Sequence, residues 1–264
     1  MILVSLFIWI HQKPILQTSD EKSSNIVESM QLNASNIPLS KMSLHSKQEE
    51  SAASKAANNI QEYRTLMGNA AAVAEVEGWF AKHGNYAFND GNAAYKSYNK
   101  ETLEKLASTG DLRAIHALAL LYEKPPYIGE YGAEGYIAQY SRAATYGSTA
   151  ALTDLAIAHE VRFYDYERDN SVKKIAAIEV LALYGVSELR GDSWANINDG
   201  ELFRERLTRD NIFLGKSDQD LIAQRSKQIY DQLQQERTAL GLGEFDNSTP
   251  DSVKQFYNRL KSAK

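Results

Sequence analysis

The chain has 264 residues, 43% hydrophobic and 24% charged, with a net charge of -5. That balance is ordinary for a soluble protein with one large core or two small ones, and its sign argues against a binder driven by nucleic-acid phosphates. The absence of cysteine excludes disulfides, thiolate zinc sites, iron–sulfur clusters and a Cys nucleophile, and only 15 Gly and 5 Pro disfavour a many-turned β-sandwich or barrel.

Residues 2–10 read ILVSLFIWI, apolar except for Ser5. As a helix this run rises about 14 Å, roughly half a bilayer core, so it cannot span a membrane as written. It fits the apolar part of a signal peptide, without a preceding Lys or Arg or a following A-x-A site. We expect residues 1–16 to be a signal-like or anchor-like segment. The polar stretch 17–48 lacks an apolar period and reads as a disordered linker. An apolar stub, a polar tether and a helical domain over 49–264 together predict a periplasmic body, tethered to the membrane only through its N-terminus. The alternative is a cytoplasmic protein.

Beyond residue 48 the apolar spacing is helical. A first helix is predicted over 49–82, followed by a loop over His83–Asn99 with several Gly and Asn turn signals. Helices follow at about 100–108, 111–123, 133–146, 148–165, 170–190, 198–208, 217–240 and 250–262. Asn99, Ser148, and Thr249 before Pro250 are candidate N-caps. Gly241 and Gly243 read as a helix end. The charged face of 217–240, with Asp218, Asp220, Arg225, Lys227 and Asp231, reads as solvated surface. The apolar positions Leu221, Ile222, Ile229, Leu233 and Leu240 read as an inward-packing seam.

One short motif recurs. Ala107-Ser-Thr-Gly110 returns as Ala144-Thr-Tyr-Gly147 and as Ala182-Leu-Tyr-Gly185, at spacings of 37 and 38 residues. Downstream, Ala114, Leu118 and Ala119 align with Ala151, Leu155 and Ala156. A period of this size built from two helices is the mark of an α-solenoid. Gly ends a helix where φ turns positive, and Ala admits a close neighbour.

At these residues the sequence resembles the Sel1-like branch of the tetratricopeptide-like repeats. Ala114, Leu118, Ala119 and Tyr122 match the family's first helix; Tyr140, Arg142, Ala143, Ala144 and Gly147 match its second, with Arg for Lys. The likeness runs over about 101–191 and departs from the family at PPYIGEYG between the helices. It implies an all-α fold, a short solenoid of antiparallel helix pairs with flanking capping helices over 198–262. It also implies a protein-interaction scaffold in place of an enzyme.

Motifs for chemistry are absent. HEVRF at His159 lacks a second His four residues on, where Phe163 stands, so it is not a zinc helix. There is no G-x-S-x-G elbow, Walker loop or dinucleotide fingerprint. No cofactor is expected. The enzymatic alternative, a cell-wall glycan-acting protein or accessory factor, would rest on Glu75 and Glu77 beside Trp79.

Eight of the 15 Tyr fall between Tyr122 and Tyr166. Tyr122 and Tyr140 read as repeat core, whereas Tyr127 and Tyr131 read equally as binding or loop-packing residues. If the first helices of successive units line a concave wall, the positions left after the Ala/Leu core are Arg113, His116, Asp154 and Arg162. With Tyr127 and Tyr131 these are the predicted contact residues for a protein or peptide partner.

Overall fold

A computed structural model describes residues 69–86, 93–165 and 170–262. The chain divides into two units, Met1–Glu49 and Glu50–Lys264, and every described residue belongs to the second. The stub at 2–10, the linker and the first part of the 49–82 helix lie outside the described residues. Among the described residues no helix is long and apolar enough to cross a membrane.

All regular structure among the described residues is helical. The order is α1 (Ala70–Lys82), α2 (Ala93–Lys96), α3 (Lys100–Ser108), α4 (Leu112–Tyr122), α5 (Tyr127–Thr145), α6 (Ala150–Asp165) and α7 (Asn170–Leu189). A π-helical turn at Asn196–Gly200 leads into α8 (Glu201–Arg209), then α9 (Lys216–Ala239) and α10 (Asp251–Ser262). The predicted loop after His83 contains the short α2. Helix α5 starts earlier than predicted: Gly132, at φ 63°, breaks it, and the predicted start at 133 is the residue after that kink.

Consecutive helices from α3 to α7 pack on one another. Small residues make this possible, since Ala114, Ala119, Ala143, Ala144, Ala151 and Ala156 are all fully buried. Between α3 and α4, between α5 and α6, and after α7, the chain makes the same turn. Gly110, Gly147 and Gly191 carry φ of 88°, 113° and 83°. The next amide donates back five residues in each case: Asp111 to the Leu106 carbonyl, Ser148 to Ala143, and Asp192 to Ser187. This is the Schellman end, which needs a left-handed residue and therefore favours Gly. The residue after each Gly then caps the next segment: Asp111 accepts from the Ala114 amide, Ser148 from Ala151 and Asp192 from Trp194.

The third copy of the short sequence motif therefore does not mark this turn. Gly185 sits inside α7, where a Cβ would stand 2.3 Å from Ser226 Oγ on α9. It marks a close helix approach, not a helix end. The turn belongs to Gly191, 44 residues after Gly147.

The last two helices depart from nearest-neighbour stacking. Helix α9 packs along α7 and also touches α5, and α10 packs on α1. Trp79 and Phe80 of α1 share a buried cluster with Val253, Phe256 and Tyr257 of α10. Trp79 Nε1 donates to the Ser248 carbonyl at 2.9 Å. The predicted seam does turn inward at Ile222 and Leu233, while Leu240 stays exposed. The charged face is only partly solvated. Asp218 and Arg225 are buried, paired with Lys174 and Glu179 of α7, because burial against α7 requires opposite charge there. Among the predicted caps, Asn99 accepts from Thr102 N, but Thr249 instead donates to the Gly191 carbonyl at 2.8 Å.

Candidate functional site

The predicted contact residues do not form one surface. Arg113 stands at the start of α4, half-buried, with its guanidinium 5.1 Å above the Tyr86 ring. Burial pushes the Tyr86 hydroxyl up to about 12. Tyr127 and Tyr131 lie beside Tyr122 at the other end of α4. Nine helical positions separate Arg113 from Tyr122, about 13 Å along the axis. Asp154 is half-buried on α6. Arg162 belongs to the same helix, but its side chain lies outside the described residues.

His116 is inside the protein, which removes it from the contact surface. Its Nε2 lies 2.8 Å from Ser148 Oγ, and its ring meets Tyr86 and Tyr140 edge-on at 5.8 and 6.2 Å. Burial alone drives its pKa down from 6.5 to about 4, so the imidazole is neutral. Ser148 is fully buried and already accepts the Ala151 amide, so the His–Ser pair faces no substrate. The polar seam continues through the His83 carbonyl, which accepts the amides of Thr149 and Ala150. Thr149 Oγ1 and Tyr257 OH both donate to Asp192, at 2.7 and 2.9 Å. These bonds satisfy polar atoms where α1, α4, α6 and α10 meet.

An aromatic corner remains at the α4–α5 connection. Tyr131 stacks on Tyr122 with centroids 4.6 Å apart, and Tyr127 lies 6.3 Å from the same ring. Lys100 Nζ is 5.5 Å over the Tyr131 ring and pairs with Glu104 at 2.6 Å, and Glu104 also accepts from Tyr122 OH. Tyr122 is buried, while Tyr127 and Tyr131 are half-buried. The corner offers flat apolar faces with polar rims, the composition favoured for protein contacts.

Sequence reading missed a repeated tyrosine–glutamate pair. Tyr140 OH donates to Glu123 at 2.8 Å, and Tyr184 OH donates to Glu160 at 2.8 Å. Each Tyr stands seven residues before its turn glycine, and each Glu lies 37 residues from the other. The available signal was this register, once Gly191 replaces Gly185 as the third anchor. Glu160 is 5% exposed, and burial raises its pKa to about 7 despite Arg206 at 2.6 Å. A carboxyl held near neutrality is what acid catalysis uses. Here, however, both oxygens are engaged, one by Tyr184 and one by Arg206, and the group ties α6 to α7 and α8. Glu75 is exposed and Glu77 half-buried, so neither sits in the apolar pocket that a glycosidase acid needs.

Among the described residues no cluster of three or more His, Cys, Asp or Glu is arranged to hold a metal ion. No protein-family model, curated protein or solved structure matches this chain.

Proposed function

We propose that the chain is a non-catalytic protein-interaction scaffold, a short α-solenoid of helix pairs with Sel1-like units, that binds a protein or peptide partner in the cell envelope. The observation that supports it is the recurrence of one contact set. A helix opened by Asp111 or Ser148 ends at Glu123 or carries Glu160; its partner helix supplies Tyr140 or Tyr184 and ends at Gly147 or Gly191. Repeating units of this kind present successive helices to a ligand and bring no chemistry of their own. Helices α9 and α10 then serve as the caps that end such an array, with α10 returning to α1.

The partner surface under this reading is the corner of Tyr122, Tyr127 and Tyr131 with Lys100. Arg113 would act separately. A photo-crosslinking residue at Tyr131 of the full chain, expressed in its own cell, should give one discrete protein adduct that Tyr127→Ala reduces. The same probe at exposed Gln235 should not. Equal labelling at both positions, or none at Tyr131, overturns the reading. A reporter fused after residue 60 that works only in the cytoplasm overturns the envelope location.

A further inference from the structure

We propose that Arg190 and Arg237 form a binding site for one small oxyanion, a carboxylate or a phosphate, at the C-terminal end of α5. Arg190 follows α7 and is 2% exposed. Arg237 lies in the last turn of α9 and is half-buried. Both guanidiniums stand over the Phe245 ring, with Cζ at 3.6 and 5.0 Å from its centroid. Arg190 Nη2 donates to the Gly147 carbonyl and Arg237 Nη1 to the Thr145 carbonyl, each at 3.3 Å. Those two nitrogens lie 3.9 and 3.5 Å from the point where a Cβ on Gly147 would stand. The two cations therefore meet across the one position that carries no side chain.

Two like charges at this depth call for a counter-charge. Among the described residues neither arginine is in an ion pair. The carboxylates that act on Arg190 from a distance make no ion pair with it: Asp192 accepts from Thr149, Tyr257 and the Trp194 amide, and Asp246 from Lys82 and Ser248. Glu236, beside Arg237 in sequence, accepts from Thr145 and Gln232. Arg190 Nη1 and Arg237 Nε are buried and have no hydrogen-bond partner among the described residues. The helix-end carbonyls supply only partial negative charge. One oxyanion accepting at about 2.9 Å from each guanidinium would supply the missing counter-charge. Burial, and after it the repulsion between the two cations, also hold Arg190 down to about 10. The site is independent of the proposed partner corner, since it lies between α5, α7 and α9.

The test is thermal unfolding of the full chain in sodium phosphate and in sodium acetate, each against sodium chloride at constant ionic strength and pH 7. Phosphate or acetate should raise Tm along a saturating one-site curve, and whichever saturates at lower concentration identifies the preferred oxyanion. In Arg237→Gln, a variant of a half-exposed residue, the apparent affinity should fall at least tenfold. Lys216→Gln, which removes an exposed cation at the opposite end of α9, should leave it unchanged. If Tm responds to all three salts alike, or if Arg237→Gln keeps the saturating response, the proposal is wrong.

Discussion

His116 gives the sharpest quantitative consequence of this fold. Its ring is buried among Tyr86, Tyr140 and Ser148, and its pKa falls from 6.5 to about 4 through desolvation alone. The unfolded chain therefore binds one more proton than the folded chain between those two values. Stability contributed by the neutral ring is fully present above pH 6.5 and is lost as pH falls towards 4. At about 1.4 kcal/mol per pH unit, the whole span is worth about 3 kcal/mol, and about 2 kcal/mol of it is gone at pH 5. Urea unfolding of the wild type and of His116→Gln from pH 8 to 4 isolates the effect. Other groups titrate in both proteins, so only their difference in unfolding free energy counts. That difference should shrink by about 3 kcal/mol as pH falls from 7 to 4. A difference constant to within about 0.5 kcal/mol would mean that His116 keeps its solution pKa, and the burial argument would fail.

Glu160 should show the opposite sign. Its folded pKa is raised to about 7, so its contribution is complete below about pH 4.5 and is lost as pH rises to 7; Glu160→Gln should flatten that limb of the wild-type urea profile, and an unchanged limb would assign it elsewhere. Gly185→Ala places a Cβ 2.3 Å from Ser226 Oγ and 3.2 Å from Ser226 Cβ. It should cost about 1–3 kcal/mol by overpacking, part of which Ser226→Gly restores in a double-mutant cycle by chemical denaturation; additive losses would refute a direct clash. Ala151→Leu should likewise lose about 1–3 kcal/mol, whereas Tyr131→Ala should forfeit a ring stack of about 0.5–1.5 kcal/mol. If calorimetry finds Tyr131→Ala the more damaging of the two, that tyrosine is core and the partner corner is misassigned.

Local signals in the sequence sufficed for most of the described helices. Apolar spacing, Asn99 as a cap, and glycines at 110, 147 and 241 depend on neighbours within one turn, and the structure places helix starts and ends at them. The same local logic failed where a residue's meaning depends on a distant partner. Gly185 carries the motif of a helix end, yet it is there because Ser226 passes close by. Asp218 and Arg225 look like solvated charges on a helix face, but α9 turns them onto Lys174 and Glu179. Arg113 and Tyr131 appear as one surface in a repeat alignment, although they sit at opposite ends of α4. Composition and period thus determined that the described residues are helical and where most of their helices stop, because those properties follow from backbone geometry and short-range packing. Which polar groups are buried, and so which of them are neutral, paired or left seeking an anion, was decided only when α9 and α10 folded back onto α5, α7 and α1. Desolvation depends on what covers a group, and here the covering residues lie tens of positions away in the chain.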